Sequence, residues 1–460
     1  RAVDPVKMDP FLSSQPNEYY VKCVPDNIYG KVKQETAPYL WPLIPVTPDN
    51  YRYISPNVFF ARVQQGTLTL DDLFMFNVVH NINITIPGLD TTALILACQK
   101  GHAEIANMLL THGADANQHT TTGMTPLMFA CHQGHAEIAV MLLSNSPPAD
   151  IRAQDNRGAT ALIFACQMGH TKLAEFLLDR NADVNQASNV GVTALTVACR
   201  QGHTETASML VNRGADIAHE SDNNMTPLLI AISMRNMELA TILIDLGADV
   251  EQASTNDGMT PLIFAAKNGY AEIVRLLLQR RADAEHSQLE GQTAIMWAAH
   301  SGHLQSLGLL LLPLSTWGRI NTQNPLANVD QTDSEGQTAL IWACEVGNTD
   351  AATILLERGA NINHADNEGM TALLSACEQR QTQTGEMLIE RGADVNLASN
   401  DGWTALMLAS STDNIYMVTL LLDNNADVNQ VNDEGQTALS LAIENGHVDI
   451  ANILRSRGTV

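Results

Sequence analysis

The sequence predicts an all-α protein built as a solenoid of stacked repeats. A motif that begins with Thr, continues with Ala or Pro and then Leu or Ile, and reaches Ala five residues after the Thr recurs mostly at intervals of 33 residues. Each copy has the pattern of two short helices separated by Gly. Two helices of two to three turns cannot bury their apolar stripes alone, so the copies must stack on one another.

Residues 158–186 show how one copy is expected to fold. Thr160 should cap a helix over residues 161–168, because its hydroxyl can accept a hydrogen bond from a free backbone N–H. Gly169 can adopt the left-handed conformation that ends this helix. A second helix should open at His170 and carry an apolar stripe that includes Leu173 and Leu177.

The repeats occupy most of the 460 residues, after two segments of different character. Residues 1–55 hold eight of the 17 prolines and six of the eight tyrosines, and we expect a partly ordered arm that caps the stack. Residues 56–88 have the pattern of a degenerate capping repeat. Eleven good copies then fill residues 89–460, with their motifs beginning at Thr92, Thr125, Thr160, Thr193, Thr226, Thr260, Thr293, Thr338, Thr371, Thr404 and Thr437.

These copies resemble ankyrin repeats, as TPLMFACHQGHAEIAVMLL at 125–143 and GADVNLASNDGWTALMLA at 392–409 illustrate. The resemblance implies helix–turn–helix units with projecting β-hairpin loops, stacked so that the first helices line a concave face. It also implies a non-enzymatic protein whose ligands contact the hairpin tips and the exposed end of each first helix.

The copies depart from the family pattern at three kinds of position. Apolar residues such as Ile163 and Leu229 replace the usual His after Thr-Pro-Leu. Non-glycine residues stand where the chain should turn left-handed, at Arg235, Arg281, Arg380 and Asp413, at a cost of roughly 1–2 kcal/mol each. A 12-residue insertion near 311–324 is either an inert loop or a local contact site.

The charge argues against nucleic acid and anionic membranes as main partners. The formal net charge is −25, and residues 282–454 hold 23 Asp and Glu but four Arg. This is either a solvated acidic surface or a trough for a basic ligand. No apolar run is long enough for membrane insertion.

No catalytic, metal or cofactor site is predicted. Six of the seven Cys recur one repeat apart and are expected to pack as small hydrophobes, which indicates a reducing cytoplasmic or nuclear location. The six Gly-His pairs are expected to cap and pack the second helices. The family resemblance makes hydroxylation conceivable at the hairpin residues Asn117, Asn185, Asn396 and Asn429.

Partner-binding residues are predicted from their position in the repeat. Bulky residues before the motif Thr should form a ridge, which is either exposed or partly buried against the next hairpin, and Trp297 and Trp342 fill the core or join the site. Hairpin tips and first-helix ends become acidic towards the C-terminus. The candidates are Met225, Met259, Trp297, Glu335, Trp342, Glu345, Glu368, Met370, Glu378, Asp401, Trp403 and Glu434.

The leading functional hypothesis is a non-enzymatic scaffold that binds a protein or peptide in the concave groove, with the acidic C-terminal half favouring a basic segment. The alternatives are a substrate-recognition adaptor of a ubiquitin ligase or similar enzyme complex, in which the N-terminal arm recruits the enzyme, and a pathogen effector that acts on host proteins.

Overall fold

The computed structural model describes residues 54–77, 80–85, 90–221, 224–312 and 327–458. Nearly all of the predicted N-terminal arm, and all but the first two residues of the predicted insertion, lie outside these ranges. The described residues form 24 helices and four isolated β-bridges between hairpin residues. The prediction of an all-α repeat solenoid is confirmed.

The helices come in pairs, one pair per repeat, so that odd numbers are first helices and even numbers are second helices. They are α1 Pro56–Gln65, α2 Leu70–Asn77, α3 Ala93–Lys100, α4 Ala103–Thr111, α5 Pro126–Gln133, α6 Ala136–Ser144, α7 Ala161–Gln167, α8 Thr171–Asp179, α9 Ala194–Gln201, α10 Thr204–Asn212, α11 Pro227–Ser233, α12 Met237–Asp245, α13 Pro261–Lys267, α14 Ala271–Gln279, α15 Ala294–His300, α16 Leu304–Leu310, α17 Ala339–Glu345, α18 Thr349–Glu357, α19 Ala372–Glu378, α20 Thr382–Glu390, α21 Ala405–Ser411, α22 Ile415–Asp423, α23 Ala438–Glu444 and α24 Val448–Ser456.

The chain divides into two compact units, residues 1–189 and residues 190–460. In the first unit α3 packs between α1 and α5, and α5 also packs on α7. In the second unit each first helix from α9 to α23 packs on the next first helix, and each second helix from α10 to α24 packs on the next second helix. First helices stack on first helices and second helices on second helices, so the apolar stripes of both are buried. Helices this short could not bury these stripes alone.

The motif Thr starts each first helix from α3 to α23, as predicted, whereas Ser55 precedes α1. Thr160 Oγ1 accepts a hydrogen bond from the backbone N–H of Ile163 at 3.4 Å, and Thr371 Oγ1 accepts one from Leu374 at 3.3 Å. Thr293 differs, because its buried Oγ1 has no hydrogen-bond partner in the described residues. The apolar residues that replace the family's His are buried in turn, with Ile163 4% exposed and Leu229 1% exposed.

The joint between the two helices of a repeat is a left-handed residue. Gly169 has a φ of 71°, and the non-glycine residues predicted at such joints adopt the same conformation, with φ between 55° and 60° at Arg235, Arg380 and Asp413. Arg281 is also left-handed, with a φ of 69°, but it lies after the second helix α14. Those four positions therefore carry the steric cost of a left-handed side-chain-bearing residue.

At several joints the side chain that follows the left-handed residue reaches back to the preceding repeat. His102 Nε2 donates to the carbonyl oxygen of Gln64 at 3.2 Å, His170 Nε2 donates to that of His132 at 3.3 Å, and Gln381 Nε2 donates to that of Glu345 at 3.1 Å. The prediction that the His residues cap the second helices was wrong, because their rings make no capping hydrogen bond. His102 and His170 instead satisfy a carbonyl at the end of the neighbouring first helix.

The recurring cysteines are buried free thiols, as their apolar role predicted. Cys98, Cys131, Cys166, Cys199, Cys344 and Cys377 are each 0% exposed. Burial raises the pKa of Cys166, Cys199 and Cys377 to about 12, because a thiolate would be poorly solvated there. These side chains are therefore chemically inert in the folded protein.

The joint contact can be isolated by one matched pair of substitutions. Gly269 and Gly446 have similar φ angles of 71° and 76°. A Cβ on Gly269 would lie 2.6 Å from His303 Nδ1, whereas a Cβ on Gly446 would meet nothing within 4 Å. Both Ala variants should lose about 1–2 kcal/mol of unfolding free energy to the left-handed backbone, and Gly269→Ala should lose about 1 kcal/mol more through overpacking. Urea denaturation measures both losses, and equal losses would show that the ring contact adds nothing.

The buried thiols predict a protection pattern. In the native protein iodoacetamide should leave the six repeat cysteines unmodified, because reaction needs an accessible thiolate. All seven cysteines of the chain should react in denaturant. Peptide mass spectrometry measures modification at each site, and rapid native labelling of Cys166 or Cys377 would contradict the described burial.

Candidate functional site

Adjacent hairpin tips in the second unit are joined by backbone hydrogen bonds. The N–H of Ser334 donates to the carbonyl oxygen of Glu290 at 3.0 Å, and the N–H of Asn367 donates to that of Glu335 at 3.0 Å. The series continues from Asn400 to Glu368 at 2.8 Å and from Asp433 to Asp401 at 3.0 Å. Each bond holds one tip at a fixed offset from the next.

The residues at the accepting position form a row of acids, which we call the hairpin row. Its members are Glu290, Glu335, Glu368, Asp401 and Glu434, and all five are exposed. The carboxylate of Glu290 accepts a hydrogen bond from Gln292 Nε2 at 3.1 Å. Across the described ranges, the carboxylates of the other four accept no hydrogen bond and form no ion pair.

A second series, the helix-end row, consists of the residues seven positions after the motif Thr in the last six repeats. It runs Lys267, His300, Glu345, Glu378, Ser411 and Glu444. In the last repeat Gln436 Nε2 of the hairpin donates to Glu444 Oε2 at 3.0 Å. Helix ends and hairpins therefore share one surface, and the exposed carboxylates of Glu345 and Glu378 lie on it.

The residues before the motif Thr are more buried than an exposed ridge requires. Met259 is only 8% exposed, and Met225, Met370 and Trp403 are half-buried. The hairpins approach closely here, because a Cβ on Gly258 would lie 3.1 Å from the backbone nitrogen of Leu289. Of the two alternatives for this position, burial against the next hairpin describes Met259.

The two tryptophans of adjacent first helices touch each other but differ in exposure. Their ring centroids are 5.3 Å apart with an interplanar angle of 85°. Trp342 is 8% exposed, and its Nε1 donates to Asp333 Oδ2 at 3.1 Å. Trp297 is half-buried, and Lys267 Nζ lies 3.6 Å from its ring centroid. Trp342 thus fills space inside the repeat, whereas Trp297 reaches the surface.

Sequence reasoning missed Glu290. The tripeptide Glu-Gly-Gln recurs at 290–292, 335–337 and 434–436, which is the signal that could have placed Glu290 in the hairpin row. The insertion stretches the interval between Glu290 and Glu335, whereas the backbone bond from Ser334 brings the two tips together.

The hairpin asparagines have structural partners. Asn396 Oδ1 accepts a hydrogen bond from the N–H of Asp427 at 2.7 Å, and Asn396 Nδ2 donates to the carbonyl oxygen of Asn425 at 3.2 Å. Asn117 Oδ1 likewise accepts from the N–H of Asp150 at 2.6 Å. These amides tie one repeat to the next, and hydroxylation stays a prediction.

Two other features are absent from the described part of the chain. Its His, Cys, Asp and Glu residues form no group of three or more that could hold a metal ion. Its helices include none that is both long and apolar enough to cross a membrane.

Comparison with known proteins agrees with the repeat geometry. A family model described as ankyrin repeats (three copies) matches the chain in eight overlapping stretches, which together run from residue 63 to residue 459. A search of curated proteins finds no match. The paired helices, the left-handed joints and the bonded hairpins are those of the matched repeats, and the chain belongs to the ankyrin-repeat family.

Proposed function

We propose that the second unit binds a partner protein through a basic segment that lies along the hairpin row and the helix-end row. Ankyrin repeats are in general protein–protein interaction modules. The observation that carries the finer proposal is the hairpin row, whose exposed acids are held in order by tip-to-tip backbone bonds.

Charge explains why the partner's segment should be basic. Stacked helices are about 8–10 Å apart, so neighbouring acids of the hairpin row repel weakly across a distance near the Debye length. Each Lys or Arg that approaches the row relieves this repulsion and gains attraction from more than one carboxylate. Such a surface accelerates association with a basic partner and loses strength as salt is added.

The six buried free thiols support a reducing location for this interaction, in the cytoplasm or the nucleus. Recruitment of an enzyme by the N-terminal arm would depend on residues outside the described ranges. The proposal is therefore limited to binding.

Reversal of the hairpin-row charges tests the proposal. A fluorescent (Lys-Gly-Gly)5 peptide should bind the full chain in 50 mM NaCl, and its affinity should fall in 250 mM NaCl. Substitution of Glu335, Glu368, Asp401 and Glu434 by Lys should weaken binding by about tenfold or more, which is about 1.4 kcal/mol. Fluorescence anisotropy measures each dissociation constant.

The matched control reverses the same number of charges elsewhere. Four exposed acids of the second helices serve this purpose, namely Glu238, Asp350, Glu390 and Asp449. Their substitution by Lys changes the net charge equally and should weaken binding by about threefold or less, because these acids contribute only a screened field. Equal losses of affinity from the two sets of substitutions would contradict the proposed site, since the attraction would then depend on net charge alone.

A further inference from the structure

Lys267 rests on an aromatic ring. Its Nζ lies 3.6 Å from the ring centroid of Trp297, which belongs to the next repeat. Within the described residues the Lys267 ammonium forms no ion pair or hydrogen bond. The ring is therefore its closest partner, and such a contact becomes stronger when it is desolvated.

The Trp297 ring, on which this ammonium lies, is held in place by the side chains that pack against it. Trp297 packs edge-to-face on Trp342, with their ring centroids 5.3 Å apart. The ring centroid of His300 lies 6.1 Å from that of Trp297 and 5.5 Å from that of Trp342. Trp342 is fixed in turn by its hydrogen bond to Asp333. The Nε1 atom of Trp297 is buried and has no acceptor in the described residues, so packing alone orients this indole. A ring that is positioned before binding costs a ligand little ordering entropy.

The position of Lys267 adds a second argument. It is the last lysine of the sequence, and on the helix-end row it is followed by His300, Glu345 and Glu378. Glu290, the first member of the hairpin row, belongs to the same repeat as Trp297. A basic segment that lies along the hairpin row and extends towards the N-terminus of the chain therefore meets Trp297 with Lys267 already on it.

We propose that the ring of Trp297 is a docking site for a cationic side chain of the partner, and that Lys267 occupies this site in the free protein. This inference rests on the proposed binding of a basic segment. When the segment binds, its Lys or Arg takes the position above the ring, and the Lys267 side chain swings into solvent. The exchange preserves the cation–π contact, because one cation replaces another on the same half-buried ring.

A double-mutant cycle with the (Lys-Gly-Gly)5 peptide tests this site. Lys267→Met should raise the affinity about fivefold, because it removes both a competitor and a like charge. In a Trp297→Leu background the same substitution should raise the affinity about twofold or less, since only the charge effect remains. Lys267→Arg should leave the affinity close to that of the parent, because it keeps a cation on the ring. An equal gain in both backgrounds would overturn the proposal.

A second measurement does not depend on the stability of the Trp297 variant. With lysine labelled by 13C at the ε carbon, the Lys267 ε-methylene protons should resonate upfield in the free protein because of the ring current. Lys267→Met identifies this signal by its loss. Saturation with the (Lys-Gly-Gly)5 peptide should return it towards the ordinary lysine position, and an (Arg-Gly-Gly)5 peptide shows whether guanidinium is accepted as well.

The outcomes separate the two proposals. A peptide that binds with the expected dependence on Glu335, Glu368, Asp401 and Glu434 but leaves the Lys267 signal unmoved overturns the Trp297 site alone. A peptide that does not bind in low salt overturns both proposals. Trp297→Phe, which keeps a smaller ring in the same packing, should give an affinity between those of the parent and Trp297→Leu.

Discussion

The close contact between the joint of one repeat and a side chain of the next is the constraint on which the stack depends. A left-handed residue ends the first helix of one repeat, and a polar side chain of the next repeat lies against it. At Gly134 and Gly269 this side chain is a His ring, and at Gly302 it is the amide of Asn348. The contact sets the distance between repeats, and the apolar stripes then meet at a spacing that buries Leu, Ile and Ala side chains on both sides.

The local parts of this arrangement could be predicted from the sequence. Thr160 caps its helix and Arg380 turns left-handed because both depend on a few neighbouring residues. The burial of a side chain cannot be predicted from a few neighbouring residues in this way. Met259 is buried where neighbouring hairpins approach closely, and Trp342 is buried with its Nε1 bonded to Asp333. The repeat motif specifies neither packing arrangement.

The candidate surface was predictable for a related reason, and only in part. Equivalent residues of successive repeats occupy equivalent places in the stack. Sequence differences between the repeats therefore produce an ordered pattern of charge along the surface. Glu335 and Glu368 were therefore identified from the repeat pattern, and both are exposed. Lys267 on Trp297 could not be foreseen, because the contact joins side chains of two successive repeats and the repeat pattern does not specify their conformations.

The tip-to-tip bonds have a consequence for how such a surface evolves. They use backbone atoms alone, so the side chain at the accepting position has no part in holding the hairpins together. In the first unit the same bond is made to the carbonyl oxygens of Thr122 and Arg157, a neutral and a basic residue. Mutations at the accepting position can therefore change the charge of this edge one repeat at a time without breaking the bonds between the hairpins.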